Sequence, residues 1–263
     1  MNRFGLIGHP IAHSLSPALF KAGYDGRYPY ELIETPDFEE AYQRFIEGYD
    51  GINVTAPFKE EAIRKAEILS EECRKIGATN LLVKTPEGIK AYNSDYLGVR
   101  MWLKEVLSDL SHEGACEDET YKHVKVLVVG LGGAGKAAAA AAESLGMTVI
   151  RMNRTVKDEI IRPLDEFIEH FRESDIIIYN IPAAIPSLND LSDEDFTPGK
   201  PKFILEANYK NPSFDKSITD KMKAANPSAY YTGGRTWLLY QAVTGYEIFT
   251  GEKPDFTKMA AVL

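Results

Sequence analysis

The sequence predicts an α/β protein of two domains, and three observations carry that prediction. Its 263 residues exceed the usual size of a single domain. Short apolar runs alternate with helical patterns over the first hundred residues, and the alternation resumes after a polar, acidic stretch at 111–122. A glycine-rich turn also lies between a nearly continuous β-branched run, Val124 to Val129, and a long alanine-rich helix.

Taken in order, Phe4 to Ile7 reads as a strand, followed by a Gly/Pro loop and a helix from about Pro17. Tyr30 to Glu34 reads as a second strand and Phe38 to Phe45 as a second helix. Gly51 to Thr55 is a third strand, ended by Pro57 and leading to a helix that starts near Lys59. Asn80 to Lys84 and Ile89 to Tyr92 form a hairpin around Pro86-Glu87-Gly88. The alternation favours a mainly parallel sheet. Tyr96 to Leu110 has a helical period, and 111–122 reads as a bridging loop. Val124 to Val129 is a strand buried on both faces. Thr148 to Met152, Ile176 to Ile181 and Phe203 to Glu206 are further strands, and Trp237 to Phe249 and Phe256 to Val262 are helical.

Composition narrows the function classes. The chain is 44% hydrophobic and 26% charged, with no low-complexity tract. A formal charge of -9 argues against nucleic acid or an anionic membrane surface as a general partner, while an anionic small molecule remains compatible through local groups. Cys73 and Cys116 form no CxxC, and no histidines stand at metal-ligand spacing, so no metal is expected and a reducing cytosol suits the two thiols. The N-terminus lacks a signal peptide's apolar core. The alanine run from Ala137 to Ala142 is far too short to span a bilayer, so a cytoplasmic protein is expected.

Gly130, Gly132 and Gly135 have G-x-G-x-x-G spacing, with Gly133 and Ala134 between them. Such glycines permit a sharp turn and let the backbone approach a pyrophosphate, while the following helix N-terminus supplies unpaired N–H groups. The alternative is a tight strand–helix turn with small residues for packing. The strand before, helix after and second strand at Thr148 favour a dinucleotide. An NAD enzyme usually carries an acid at the end of that second strand, about 20 residues on, for the ribose 2′-hydroxyl. Here the chain reads Asn153-Arg154-Thr155-Val156-Lys157, which suits a 2′-phosphate and hence NADP. A solvated basic loop is the alternative.

Four polar motifs end apolar runs in the first domain: His13-Ser14-Leu15-Ser16-Pro17, Asn53-Val54-Thr55-Ala56-Pro57-Phe58-Lys59, Gly77-Ala78-Thr79-Asn80 and Asn93-Ser94-Asp95. Each has a structural alternative. Ser16 before Pro17 suits a helix N-cap, Thr55 a backbone hydrogen bond in a proline turn, and Asp95 an N-cap for the helix near Tyr96. Lys59 at a helix start opposes the helix dipole, which asks for a functional reason.

As an ordered set the motifs carry more. GHPIAHSLSP, NVTAPFK, GATN, YNSD, GLGGAGKAA, NRT and GRTWLLYQ, spread over nearly the whole chain, resemble the shikimate dehydrogenase family. The resemblance implies an α/β substrate domain over 1–98, completed by C-terminal helices returning to it over 236–263. It also implies a Rossmann-like NADP-binding domain over 99–235. It implies reversible reduction of 3-dehydroshikimate to shikimate with NADPH, in aromatic amino-acid biosynthesis, by a monomer or homodimer. By matching position, Lys59 and Asp95 are the catalytic pair. Ser14 and Ser16 bind the substrate carboxylate, with Tyr209 near it, and Asn53, Thr55, Asn80, Asp95 and Gln241 surround the ring hydroxyls. His13 is expected to pack or to hydrogen-bond its own loop.

Some positions depart from the family pattern. Leu81 and Ser94 stand where threonine is usual, and Trp237 replaces a methionine. Asn180-Ile181-Pro182-Ala183-Ala184 stands where the family has an Asn-x-Thr run followed by Gly-Met. Two rival readings follow. One is a quinate/shikimate dehydrogenase using NAD; the other is a non-catalytic regulatory protein that binds NADP or a cyclohexene carboxylate. Retention of both Lys59 and Asp95 argues against the second.

Overall fold

The computed structural model describes residues 2–110 and 121–263, and these fall into two compact units, 1–98 with 239–263 and 99–238. The bridging loop expected at 111–122 lies almost wholly outside the described residues. So does Cys116.

The chain runs β1 (Phe4–Gly8), α1 (Ser16–Gly23), β2 (Tyr30–Glu34), α2 (Phe38–Gly48), β3 (Gly51–Val54) and α3 (Lys59–Ala62). Then follow β4 (Ile68–Leu69), α4 (Glu71–Ile76), β5 (Leu81–Thr85), β6 (Gly88–Tyr92) and α5 (Ser94–Leu110). The first sheet has the order β2-β1-β3-β5-β6-β4. Three of its five strand pairs are parallel, so the sheet is mainly parallel as expected, and β5 alone runs antiparallel to its neighbours β3 and β6. The tight turn at Pro86-Glu87 reverses the chain, and a two-residue reversal cannot give parallel neighbours. β4 and α4 had no signal in the sequence: β4 is two residues long, and α4 is a six-residue helix in a charge-rich stretch.

One core of this unit gathers Ile7, Ile33, Phe45, Ile52, Val54 and Leu82. A separate aromatic group holds Phe4, Phe20, Tyr24, Tyr30, Tyr246 and Phe249, with the Phe20 and Tyr246 rings 4.7 Å apart edge to face. Such pairs add about 0.5–1.5 kcal/mol beyond the area they bury.

The second unit continues with β7 (Lys125–Val129), α6 (Gly133–Ser144), β8 (Thr148–Met152), β9 (Ile161–Arg162) and α7 (Phe167–Glu173). After these come β10 (Ile176–Tyr179), β11 (Lys202–Glu206), α8 (Lys216–Ala225) and β12 (Ala229–Thr232). All strand pairs of this sheet are parallel, in the order β12-β11-β10-β7-β8-β9. Counted from β7, that is the doubly wound order with its switch point between β7 and β10. Val126 to Val129 and Ile176 to Tyr179 are buried at every position, as parallel strands covered on both faces require. α9 (Gly234–Thr250) returns the chain to the first unit, and α10 (Phe256–Ala260) packs against α1. No helix among the described residues is long and apolar enough to cross a membrane.

Candidate active site

The glycine turn follows β7, at the switch point of the second sheet. Gly130 has φ +89°, a conformation open chiefly to glycine, and its N–H donates to Met152 O on β8. At Gly135 a Cβ would stand 1.8 Å from Gly130 O, so the turn closes only because that residue has no side chain. Both glycines therefore have reasons internal to the chain. Gly132 does not: its φ of -69° suits any residue, and nothing beyond its chain neighbours lies within 4 Å of a Cβ placed there. Bare backbone in open space ahead of α6 is what a pyrophosphate needs for close approach. The N-cap of α6 makes no side-chain hydrogen bond, which leaves N–H groups of Gly133, Ala134 and Gly135 at the helix start. The residues fit a dinucleotide.

At the end of β8 the Asn153 carboxamide accepts from Leu131 N–H at 3.4 Å and donates to Thr155 O at 3.2 Å, joining the glycine turn to the 153–155 turn. Arg154, Thr155 and Lys157 are exposed beyond it. The nearest acid, Asp158, accepts from Ile160 N–H. No acid of 153–157 thus opposes a 2′-phosphate, and an arginine and a lysine attract one.

The first unit gathers a second cluster. Lys59 Nζ lies 2.5 Å from Asp95 Oδ2, with the two side chains 21% and 9% exposed. α3 has a single α-helical turn, with Glu60 and Glu61 beside Lys59, so the dipole that the lysine opposes is small. Thr79 N–H donates to Lys59 O at 3.1 Å, tying the lysine's backbone to the segment before the hairpin. Asp95 does not cap α5. Asn93 does, accepting from Tyr96 N–H at 3.1 Å, because the helix starts at Ser94 and its cap lies one residue earlier. Asp95 is thereby in the first turn, where its carboxylate meets both Lys59 and the positive end of the helix.

Ser94 is fully buried and sits between two predicted substrate residues. Asn80 Nδ2 donates to Ser94 Oγ at 3.0 Å, Ser94 N–H donates to Asn80 Oδ1 at 2.7 Å, and Gln241 Oε1 lies 3.2 Å from Ser94 Oγ. Gln241 arrives through a close crossing of α5 and α9. A Cβ on Gly98 would stand 2.6 Å from Gln241 N, and one on Gly245 3.1 Å from Ser94 Cβ. Neither glycine was singled out from the sequence. A glycine inside a helix costs about 1 kcal/mol against alanine, and that was the available signal.

Ser16 is the first residue of α1 rather than its N-cap. Ser14 makes the local bonds instead, donating to Ser16 Oγ at 3.1 Å and accepting from Ser16 N–H at 3.2 Å. Asn53 lies on β3 opposite Leu81, next to Asn80, and Thr55 follows one residue past the strand with its methyl against Gly8. The structure thus brings together Lys59 with Asp95, Asn53 with Asn80, Asn80 with Gln241 through Ser94, and Ser14 with Ser16. Tyr209 lies in the other unit, in the turn after β11 that Asn208 organises by accepting from Lys210 and Asn211 N–H groups. His13 is exposed.

The divergent 180–184 segment is a braced turn. Tyr179 hydroxyl donates to Ala183 O at 2.8 Å and accepts from Ile185 N–H at 3.2 Å, and Asn208 Nδ2 donates to Pro182 O at 3.1 Å. Leu81 is fully buried at the start of the hairpin, where an apolar side chain is the ordinary occupant. Among the described residues no group of three or more His, Cys, Asp or Glu is placed to hold a metal ion.

A lysine held by a carboxylate among hydroxyls and carboxamides can move a proton at a small polyol, but it has no redox capacity of its own. The dinucleotide cradle supplies that part, and the chain is of the nicotinamide-dependent oxidoreductase class. Comparison with known proteins is more specific. Residues 6–82 match the shikimate dehydrogenase substrate-binding domain, and residues 100–205 match the NAD-binding domain of the D-isomer-specific 2-hydroxyacid dehydrogenases. The chain is 30% identical to the NADP(+) shikimate dehydrogenase of Caldanaerobacter subterraneus subsp. tengcongensis, over 95% of this chain and 91% of that one. It is 30% identical to that of Halobacterium salinarum, over 100% and 98%. Among solved structures, shikimate 5-dehydrogenase from Thermus thermophilus in complex with NADP(H) and shikimate superposes with a TM-score of 0.78. That pair shares 25% identity and covers 100% of this chain and 98% of the other. The chain belongs to the shikimate dehydrogenase family.

Proposed function

We propose that this protein catalyses the reversible reduction of 3-dehydroshikimate to shikimate with NADPH, with 1–98 and 236–263 serving the substrate and 99–235 the cofactor. The observation that carries the reading is the 2.5 Å Lys59–Asp95 pair, set among the substrate-type groups of its own unit. Bound NADPH supplies the hydride. Lys59 then has two tasks at the carbonyl oxygen: its charge stabilises the developing oxyanion, and its Nζ proton is delivered there as the C–O bond becomes an alcohol. In the oxidation direction the same nitrogen receives that proton. Asp95 holds the ammonium in place and accepts from a neighbouring ring hydroxyl.

Ser14 and Ser16 offer hydroxyls to the substrate carboxylate, with Tyr209 assigned there on the family resemblance. Asn53, Thr55, Asn80 and Gln241 address the ring hydroxyls. The pyrophosphate is assigned to the backbone from Gly130 to Gly135 and the 2′-phosphate to Arg154, Thr155 and Lys157, beside Asn153. The family description for 100–205 names NAD, but that match follows the Rossmann-type framework, whereas Arg154 in place of an acid sets the preference for NADP. A cytoplasmic monomer or homodimer completes the proposal.

The test is absorbance at the reduced-nicotinamide band with shikimate or quinate and NADP⁺ or NAD⁺, in all four combinations. Fast reduction with shikimate and NADP⁺ is expected. Quinate turnover with NAD⁺ would replace the reading with a quinate/shikimate dehydrogenase, and no reduction in any combination would remove it.

A further inference from the structure

Behind Asn53 and Ser16 lie two tyrosines that none of the sequence motifs includes. Tyr30, on β2, donates its hydroxyl to Asn53 Oδ1 at 2.7 Å. Tyr246, on α9 and buried, donates to Ser16 O at 3.1 Å. Their rings are 5.8 Å apart, and both pack on Phe20.

The orientation of the Asn53 carboxamide follows from its neighbours. On one side it meets Asn80 O at 3.4 Å, and a carbonyl oxygen can only accept, so that side is Nδ2. The other side, facing Tyr30, is therefore Oδ1, and the phenol must donate. Burial, with Tyr246 adding to it, holds the Tyr30 phenol well above the usual tyrosine range, so it stays protonated and keeps that donor. With Oδ1 occupied and one N–H turned to Asn80 O, Asn53 has an N–H left to give.

We propose that Tyr30 is a positioning residue: by donating to Asn53 Oδ1 it locks the carboxamide with Nδ2 toward the substrate, so that Asn53 acts as a hydrogen-bond donor to a ring hydroxyl oxygen. This rests on the assignment of Asn53 to shikimate. Without the Tyr30 hydroxyl the amide is held only by the 3.4 Å bond to Asn80 O, and the donor is no longer firmly aimed. The effect belongs to substrate binding, because the hydroxyl acts through Asn53 rather than through the Lys59–Asp95 pair.

The experiment measures steady-state kinetics of shikimate oxidation by NADP⁺ for the wild type, Tyr30→Phe, Asn53→Ala, the double variant and Asn53→Asp, with a thermal melt of each. Tyr30→Phe keeps the ring and its packing. It should raise the shikimate KM roughly five- to tenfold, the size of one neutral hydrogen bond, while kcat and the NADP⁺ KM stay within about twofold. In the Asn53→Ala background the same change should raise that KM no more than about twofold, since the group it acts through is gone. Asn53→Asp still accepts from Tyr30 but offers no donor, so its KM should rise as in Asn53→Ala. Tyr24→Phe, which removes a hydroxyl donated to Glu252 O elsewhere in the unit, controls for stability and should leave the shikimate KM unchanged.

Independent, multiplying effects of Tyr30→Phe and Asn53→Ala would overturn the proposal, as would wild-type KM in Tyr30→Phe or in Asn53→Asp. A wild type without shikimate turnover would bring down the functional reading, and this proposal with it. An active wild type without coupling would bring down the proposal alone.

Discussion

Gly132→Ala separates a glycine kept for folding from one kept for a ligand. The backbone at 132 has φ -69° and ψ -172°, which alanine adopts without strain, and its Cβ would meet nothing beyond its chain neighbours within 4 Å. A surface change of this kind stays within about 0.5 kcal/mol, and the loss of unfolded-chain freedom favours alanine by about 0.4–1 kcal/mol. The melting temperature should hold or rise slightly. A pyrophosphate crossing the turn would meet the new methyl and lose an N–H contact to a charged oxygen, worth about 1.5–3 kcal/mol, or roughly ten- to hundredfold in the NADP⁺ KM. The assay is initial rate against NADP⁺ at saturating shikimate, beside a thermal melt. Gly135→Ala is the contrast: its Cβ would stand 1.8 Å from Gly130 O, so the turn must open and the melting temperature must fall. An unchanged NADP⁺ KM in a stable Gly132→Ala protein would refute the route assigned to the pyrophosphate.

Lys59→Ala should lower kcat by about 10²–10⁴ with a smaller change in shikimate KM, and near-normal turnover would remove Lys59 from the proton transfer. Arg154→Ala should raise the NADP⁺ KM at least tenfold, on the order of one charged hydrogen bond, and leave NAD⁺ kinetics unchanged; parallel shifts for both cofactors would dismiss the 2′-phosphate assignment. In Gly98→Ala the nearest atoms to the new Cβ are backbone of Tyr240 and Gln241, so α5 and α9 must part. A loss of about 1–3 kcal/mol in stability and a raised shikimate KM are expected, read by melting and kinetics. Lys202 is buried, donates to Phe171 O and Ser174 O near the end of α7, and has its pKa lowered by burial to about 8. From about pH 8 to 10.5 the unfolded chain therefore binds more protons than the folded one, so this residue's contribution to stability rises with pH across that window. In denaturant melts the wild type should gain stability relative to Lys202→Met between those limits, and a constant difference would contradict it.

Most elements were legible because local pattern decides them. The β-branched run at Val124 to Val129, the alanine helix and the alternating hairpin follow from periodicity and turn residues, and the glycine spacing with Arg154 identified the cofactor class. What escaped was short or set by neighbours, such as β4, α4, β9 and β12, where the strands take their pairing from the adjacent strand rather than from their own residues. Asp95 shows the same limit. Its sequence fits an N-cap, yet α5 begins earlier than expected, so Asn93 caps and Asp95 turns to Lys59.

The sequence by itself determined the fold class and the family and named the candidates for the chemistry, since these reside in residue type and order along the chain. Only the tertiary structure decided which residues support them. Gly98 and Gly245 let α9 approach α5 and bring Gln241 to Ser94, and Tyr30 and Tyr246 stand behind Asn53 and Ser16. Those contacts join positions more than a hundred residues apart, or strands that are not neighbours in the sheet. No local pattern records them, because their reason is the distance between two backbones once the chain has folded.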